Sequence, residues 1–181
     1  CEKANPMGFC FFNNIGVAAM HAIKAHGLER VAIIDFDVHH GNGTEDCFAG
    51  DDRVLMCSIF QHPFYPYSGT DKPAANMCNV PLAAGSGGEE FRDAVLQVWT
   101  PRLKEFKPQM ILISAGFDGH YEDDMGGLKL VEKDYAWCTD HLKKLAAEMC
   151  DKRIVAMLEG GYVMTSLARS VGAHLRSLAD L

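Results

Sequence analysis

A chain of 181 residues with 48% hydrophobic side chains is long enough to close one domain around a real core, and too apolar to remain disordered. Its formal net charge of -7 disfavours a partner that presents phosphates, so no nucleic-acid binding is expected, whereas the same field suits cationic substrates. The apolar runs fall far short of the roughly 20 residues of a membrane span, and the seven scattered cysteines, without a Cys-x-x-Cys pair, argue against a disulfide framework or thiolate zinc cage.

Those cysteines fit a reducing setting, so a cytoplasmic location is expected, with the nucleus open to a eukaryotic protein. The segment from Cys1 to Cys10 lacks the basic start and apolar block of a secretory leader and reads as a cut end. Next comes a helical stripe, Ile15, Ala18, Ala19, Ala22 and Ile23, closed by Gly27. Residues 31–36 and 53–59 read as strands apolar on successive positions, as expected where both faces are covered, and a weaker strand runs over 78–82. Phe91, Val95, Val98, Leu103 and Phe106 mark a helix that Pro101 should bend. A strand over 110–115 is followed by the stripe Tyr135, Cys138, Leu142, Leu145 and Met149. A last strand over 154–158 precedes the stripe Leu167, Val171, Leu175 and Leu178. Strands alternating with helices predict an α/β class with parallel pairing, and no linker or repeat divides residues 1–181.

Three of the strand ends carry polar residues. Asp35-Phe-Asp-Val-His-His-Gly-Asn-Gly43 follows the first strand, at the carboxyl end where open α/β sheets place ligand sites. Strand alternation would point Asp35, Asp37 and His39 the same way, a workable set of ligands for one ion. The plain alternative is a polar loop with Asp37 or Asn42 as the N-cap of the next helix. A second acidic motif, Ser114-Ala-Gly-Phe-Asp118-Gly-His120, ends another strand, and a third strand runs into Glu159-Gly160-Gly161-Tyr162. Together these point to one histidine and two aspartates around a metal, with a phenol beside it. One imidazole, two carboxylates and an open position suit catalytic Zn²⁺, or Fe²⁺ at a similar site, better than Ca²⁺ or Mg²⁺.

These motifs, with Gly8-Phe-Cys-Phe-Phe-Asn13 and Asp123-Asp-Met-Gly-Gly127, resemble the zinc-dependent histone deacetylase superfamily, which includes bacterial acetylpolyamine amidohydrolases and acetoin-utilisation proteins. The resemblance covers essentially the whole chain. It implies a three-layer αβα, arginase-like fold with a mainly parallel central sheet, a single partial catalytic domain over residues 1–181, and zinc-dependent hydrolysis of N-acetyl amides. It gives Asp37, His39 and Asp118 as zinc ligands, Tyr162 as the donor to the carbonyl oxygen, and Gly8, Phe9, Tyr65, Gly160 and Gly161 as substrate contacts. Phe9 and Tyr65, the latter in His62-Pro-Phe-Tyr-Pro66, would be the walls of an acyl-lysine tunnel; ordinary core packing is the alternative for both.

A structural potassium ion is implied at Asp35, Ser58 and Ile59, completed by the carbonyls of Asp37 and His39, and a second at the carbonyls of Phe48, Asp51, Val54 and Asn76. Asp35 and Asn42 would orient a His-His acid–base pair that the family places just before the Gly-Phe-Cys motif. By that spacing the pair would precede Cys1, so the chain reads as part of a longer domain. The implied substrates are acetyl-lysine in proteins or peptides, or an acetylated polyamine, and a homo-oligomer is allowed. Two rivals stand beside this reading. A binuclear manganese ureohydrolase would need a further aspartate where Asn42 stands, and a zinc-binding scaffold would need no general base.

Overall fold

In the computed structural model, which describes all residues 1–181, the apolar runs become five strands of one parallel sheet. They are β1 (Val31–Asp35), β2 (Val54–Gln61), β3 (Met77–Leu82), β4 (Met110–Ala115) and β5 (Ile154–Leu158), in the spatial order β3-β2-β1-β4-β5. The first three run outward one way from β1 and the last two the other way. The order therefore reverses between β1 and β4, the crevice where such sheets bind ligands. Val31 pairs with both Val54 and Met110, and Asp35 with both Ser58 and Ser114, so the polar ends of the central strands lie level.

Alternation sends Val31 and Ile33 to one face and Ala32 and Ile34 to the other. The first face is covered by α1 (Asn14–His26), whose Ile15, Ala19 and Ile23 form the expected stripe. Asn13 caps this helix by accepting the Gly16 N–H at 2.8 Å, and Gly27 closes it in the left-handed region at φ 68°. The opposite face carries the larger core, in which Phe91, Trp99, Leu103, Tyr135 and Leu142 are fully buried. These come from α3 (Gly88–Ala94), α4 (Thr100–Phe106), α5 (Glu132–Met149) and, for Trp99, the turn that joins α3 to α4. Helices on both faces of the sheet give the expected three layers.

Four local expectations are corrected. Pro101 does not simply bend a helix: the turn before it widens into a π-helical turn, Val95–Trp99, in which the Thr100 N–H reaches back to the Val95 carbonyl. Proline has no N–H to continue the ladder, so the register change falls where a bond is lost in any case. The short α2 (Asn42–Phe48) has Gly41 as its N-cap, so neither Asp37 nor Asn42 caps it. In α6 (Met164–Leu178) Leu167 and Val171 of the expected stripe do pack against the core, but the fully buried positions are Ser166, Ser170 and His174 and Leu175 is exposed, because small side chains let α6 lie close on α5. Finally, β5 is not covered on both faces: Val155 and Leu158 are 39% and 61% exposed at the edge of the sheet.

Candidate metal centre

Strand β1 stops at Asp35, so the next residues leave the alternating pattern. Asp35 is buried and its Oδ1 accepts the Asp37 N–H at 3.1 Å, turning the chain upward from the sheet. Asp37 then accepts the His39 N–H at 2.8 Å through Oδ1 and the Gly160 N–H at 2.8 Å through Oδ2. From the end of β4, Asp118 accepts the Val38 N–H at 2.9 Å through Oδ1. Three backbone donors, two after β1 and one after β5, thus fix two carboxylates, one after β1 and one after β4.

The remaining atoms face one another. His39 Nδ1 lies 3.0 Å from Asp37 Oδ1 and 3.2 Å from Asp118 Oδ2. One ligand atom from each of Asp37, His39 and Asp118 falls within a 4.8 Å span. Asp118 Oδ2 is buried without a hydrogen-bond partner, a costly state that an ion would relieve. Gly160 is needed for this close approach, because a Cβ there would stand 1.9 Å from Asp118 Oδ2 and 2.6 Å from Asp37 Oδ2. The donor set and its spacing fit one tetrahedral cation with an open position. Asp35 lies outside that set, which corrects the expectation that it would point with Asp37 and His39.

The electrostatics agree. Burial, then the neighbouring Asp37 charge, pushes Asp118 up to about 7. Asp35 is also raised, by burial first and then by the charges of Asp37 and Glu159. For His39 burial alone would lower the imidazolium, but the nearness of the Asp118 and Asp37 carboxylates outweighs it and lifts the group to about 10. Uncompensated negative charge of this kind is what a divalent cation neutralises. Burial and the same two aspartates push Tyr162 up to about 12, so its phenol keeps its proton as a donor.

The centre opens into a cavity of about 800 Å³ lined by Gly8, Phe9, Phe64, Tyr65, Met125, Leu158 and Tyr162 and, of the metal set, by Asp37 and His39. Phe9 is 82% exposed, so its alternative as a packed core residue fails; its ring meets Tyr162 edge-on at 6.1 Å. Tyr65 approaches His39 edge-on at 6.1 Å, and Phe64 stacks on His39 at 5.4 Å. Gly161 takes φ 136° and turns the chain into Tyr162 at the rim. Asn42 lies on the cavity wall and donates to Glu2 Oε1 at 2.7 Å. Asp35 and Ser58 lie side by side in register, both buried, which is compatible with a cation there.

Four supporting residues escaped the sequence reading. Phe64 is one. Buried Asp123 accepts the Tyr162 and Val163 N–H groups at 2.7 and 3.2 Å and the Met125 N–H at 3.0 Å, so it holds the phenol's backbone and the start of α6. Glu159 accepts from Ser114 Oγ at 3.1 Å on the cavity wall. Glu45 pairs with buried His40 at 2.5 Å. Of these, Phe64, Asp123 and Glu159 stood inside motifs already quoted, without a role of their own, and only Glu45 lay outside them.

A parallel sheet with carboxylates and an imidazole converging at its reversal point defines a metal-site α/β protein of the arginase–deacetylase kind. Comparison makes this specific: the histone deacetylase domain family matches residues 1–178, and the chain belongs to that family. It is 42% identical over 179 residues to the chloroplastic histone deacetylase 14 of Arabidopsis thaliana, covering 96% of this chain and 42% of that protein. It is 37% identical over 169 residues to a histone deacetylase-like amidohydrolase of Pseudomonas aeruginosa, covering 90% and 44%. The polyamine deacetylase HDAC10 of Mus musculus is 37% identical over 189 residues, covering 98% and 28%. The crystal structure of the HDA15 HD domain superposes with a TM-score of 0.90 at 32% identity, covering all of this chain and 54% of that one. The chain therefore spans about half or less of the length of these relatives.

Proposed function

We propose that this chain is the metal-holding part of an enzyme that hydrolyses N-acetyl amides, with acetyl-lysine in proteins or peptides as its substrate class. Asp37, His39 and Asp118 would hold one Zn²⁺, and a potassium ion would sit at Asp35, Ser58 and the carbonyls of Asp37, His39 and Ile59. The observation that carries the reading is the convergence of three ligand atoms within 4.8 Å beside a buried, partnerless carboxylate oxygen. When bound, zinc supplies Lewis-acid polarisation of the acyl carbonyl and lowers the pKa of water.

The chain's own residues do the rest. Tyr162 donates its phenolic hydrogen to the carbonyl oxygen as charge develops there. Phe9, Phe64 and Tyr65 exclude water from the acyl side chain, and the Gly8 carbonyl accepts from the substrate amide. Asp35 and Asn42 orient an acid–base pair contributed from outside these residues.

One observation favours a second reading, zinc binding without turnover. The two histidines on the cavity wall are His39, in the metal set, and His40, paired to Glu45, so neither is free to carry a proton to the leaving amine.

Zinc titration monitored by elemental analysis tests the site. One zinc per chain is expected, with affinity reduced about 100-fold or more in Asp118→Asn, given that even supporting groups around a metal are worth 10–100-fold. Substoichiometric zinc, or two manganese ions per chain, would overturn the assignment. Incubating the zinc-loaded protein, in the full-length form that carries the acid–base pair, with an acetyl-lysine peptide and with an acetylated polyamine then separates the readings. Release of acetate from the peptide supports the first, preferential release from the polyamine changes the substrate class, and no release from either supports the second.

A further inference from the structure

We propose that the side-chain amide of Asn76 takes the place, in this chain, of the second structural cation implied by the resemblance to deacetylases. Three of the expected ligands are present and do converge. The carbonyls of Phe48, at the end of α2, of Asp51, in the following turn, and of Val54, at the start of β2, lie 2.7, 3.1 and 2.9 Å from one point. That point is Asn76 Nδ2.

The orientation of the amide is fixed by its other end. Asn76 Oδ1 accepts the Gly50 N–H at 2.9 Å. Exchanging the two ends would place an oxygen against three carbonyl oxygens and an NH₂ against an N–H, so only one assignment satisfies the network. The amide has two hydrogens for three acceptors: the two shorter contacts take one each, and the 3.1 Å contact shares. The fourth expected ligand, the Asn76 carbonyl, accepts the Met56 N–H at 3.0 Å beside the β2–β3 pairing.

Charge points the same way. Of the two carboxylates at this turn, Asp51 and Asp52, the one whose carbonyl belongs to the cage, Asp51, is held by Arg53 through Nε at 2.9 Å and Nη2 at 2.7 Å, so its charge is already answered. A bare cation among neutral carbonyls would have to shed its water without a counter-ion. The amide satisfies the same oxygens as a neutral donor that is already covalently in place, and Asn76 is buried there. A cation and Nδ2 cannot occupy one point. The joint between α2, β2 and β3 is therefore closed by the chain itself, independently of the zinc site and of the cation proposed at Asp35 and Ser58.

Thallous ion, an electron-dense stand-in for potassium, gives a direct test in crystals of the chain. Anomalous difference maps of soaked wild-type crystals are expected to show no peak among the Phe48, Asp51 and Val54 carbonyls, and soaked Asn76→Ala crystals are expected to show one. In solution, Asn76→Asp sets a carboxylate against the same carbonyls, so its Tm should rise with potassium chloride and not with tetramethylammonium chloride, by more than the wild type's does. A thallium peak in the wild-type cage overturns the proposal. So does an empty cage in Asn76→Ala, or an Asn76→Asp variant whose Tm follows the two salts equally.

Discussion

The two sides of this sheet are finished to different degrees. At β1 and β4 every strand residue but Met110 is buried, helices lie on both faces, and each carboxylate of the metal set is fixed by backbone N–H groups. At β5 and along residues 7–12 several large side chains are open: Leu158 is 61% exposed, Phe9 and Phe11 82%, and Phe12 75%. The ligand cluster belongs to the finished side, whereas the cavity wall that would hold a substrate is drawn largely from the open one. In the proposed function, metal geometry would therefore be set by the interior of the fold, and substrate grip by groups that pack against little. That difference can be broken or sharpened by measurement.

The largest effect should come from the interior. Leu142 on α5 is fully buried in the main cluster, and Leu142→Ala should cost about 2–5 kcal/mol in equilibrium unfolding. A loss below about 1 kcal/mol would mean that the main core is looser than its packing implies.

A pH titration should give the next effect. Thr139 Oγ1 donates to the Tyr135 carbonyl at 2.7 Å, so His174 Nδ1–H donates to Thr139 Oγ1, also at 2.7 Å, and Nε2 is left buried without a partner. Burial pushes His174 from the ordinary 6.5 down to about 4. The unfolded chain then binds more protons than the folded one between these values. The stabilisation is complete above about 6.5 and is lost as pH falls towards 4, to a total of about 3 kcal/mol at roughly 1.4 kcal/mol per pH unit. His174→Leu should remove that share of the slope, and a variant with an unchanged profile would show that the imidazole is solvated.

Asp123 joins the two sides, because it anchors the exposed Tyr162 to the buried loop. Asp123→Ala leaves three N–H groups without an acceptor and removes a negative charge from the start of α6, for about 1–3 kcal/mol. Hydrogen exchange should quicken at the amides of Tyr162 and Val163 while those of β1 stay protected; equal quickening at both would mean that the loss is global.

What could be read from the sequence follows the same division. Strands β1, β2 and β4 were legible because parallel strands covered on both faces are apolar at consecutive positions, and Asp37, His39 and Asp118 because polar residues broke those runs at their carboxyl ends. The exclusion of Asp35 was not legible: it depends on β1 ending at that residue, and a one-residue change in a strand's end reverses which face its neighbours point to. The buried face of α6 was hidden because Ser166 and Ser170 look like surface residues until helix approach is known. Asp123 stands in a quoted motif, but its hold on the Tyr162 and Val163 N–H groups depends on contacts 39 and 40 positions away, and Asn76 gains its meaning from carbonyls 22 to 28 positions away.

The finest test uses one substitution at two places in the same sheet. Val→Thr keeps the shape and replaces a methyl group by a hydroxyl, so its cost measures whether water reaches the site. Val31 on β1 is fully buried between the registers of β2 and β4, and Val31→Thr should cost about 1–3 kcal/mol. Val155 on β5 is 39% exposed, and its hydroxyl would remain hydrated, so Val155→Thr should stay within about 0.5 kcal/mol of wild type. Unfolding by urea with unchanged m-values would make the two numbers comparable. Were Val155→Thr to cost as much as Val31→Thr, the outer face of β5 would have to be covered in solution, and the contrast between a finished and an open side would be lost.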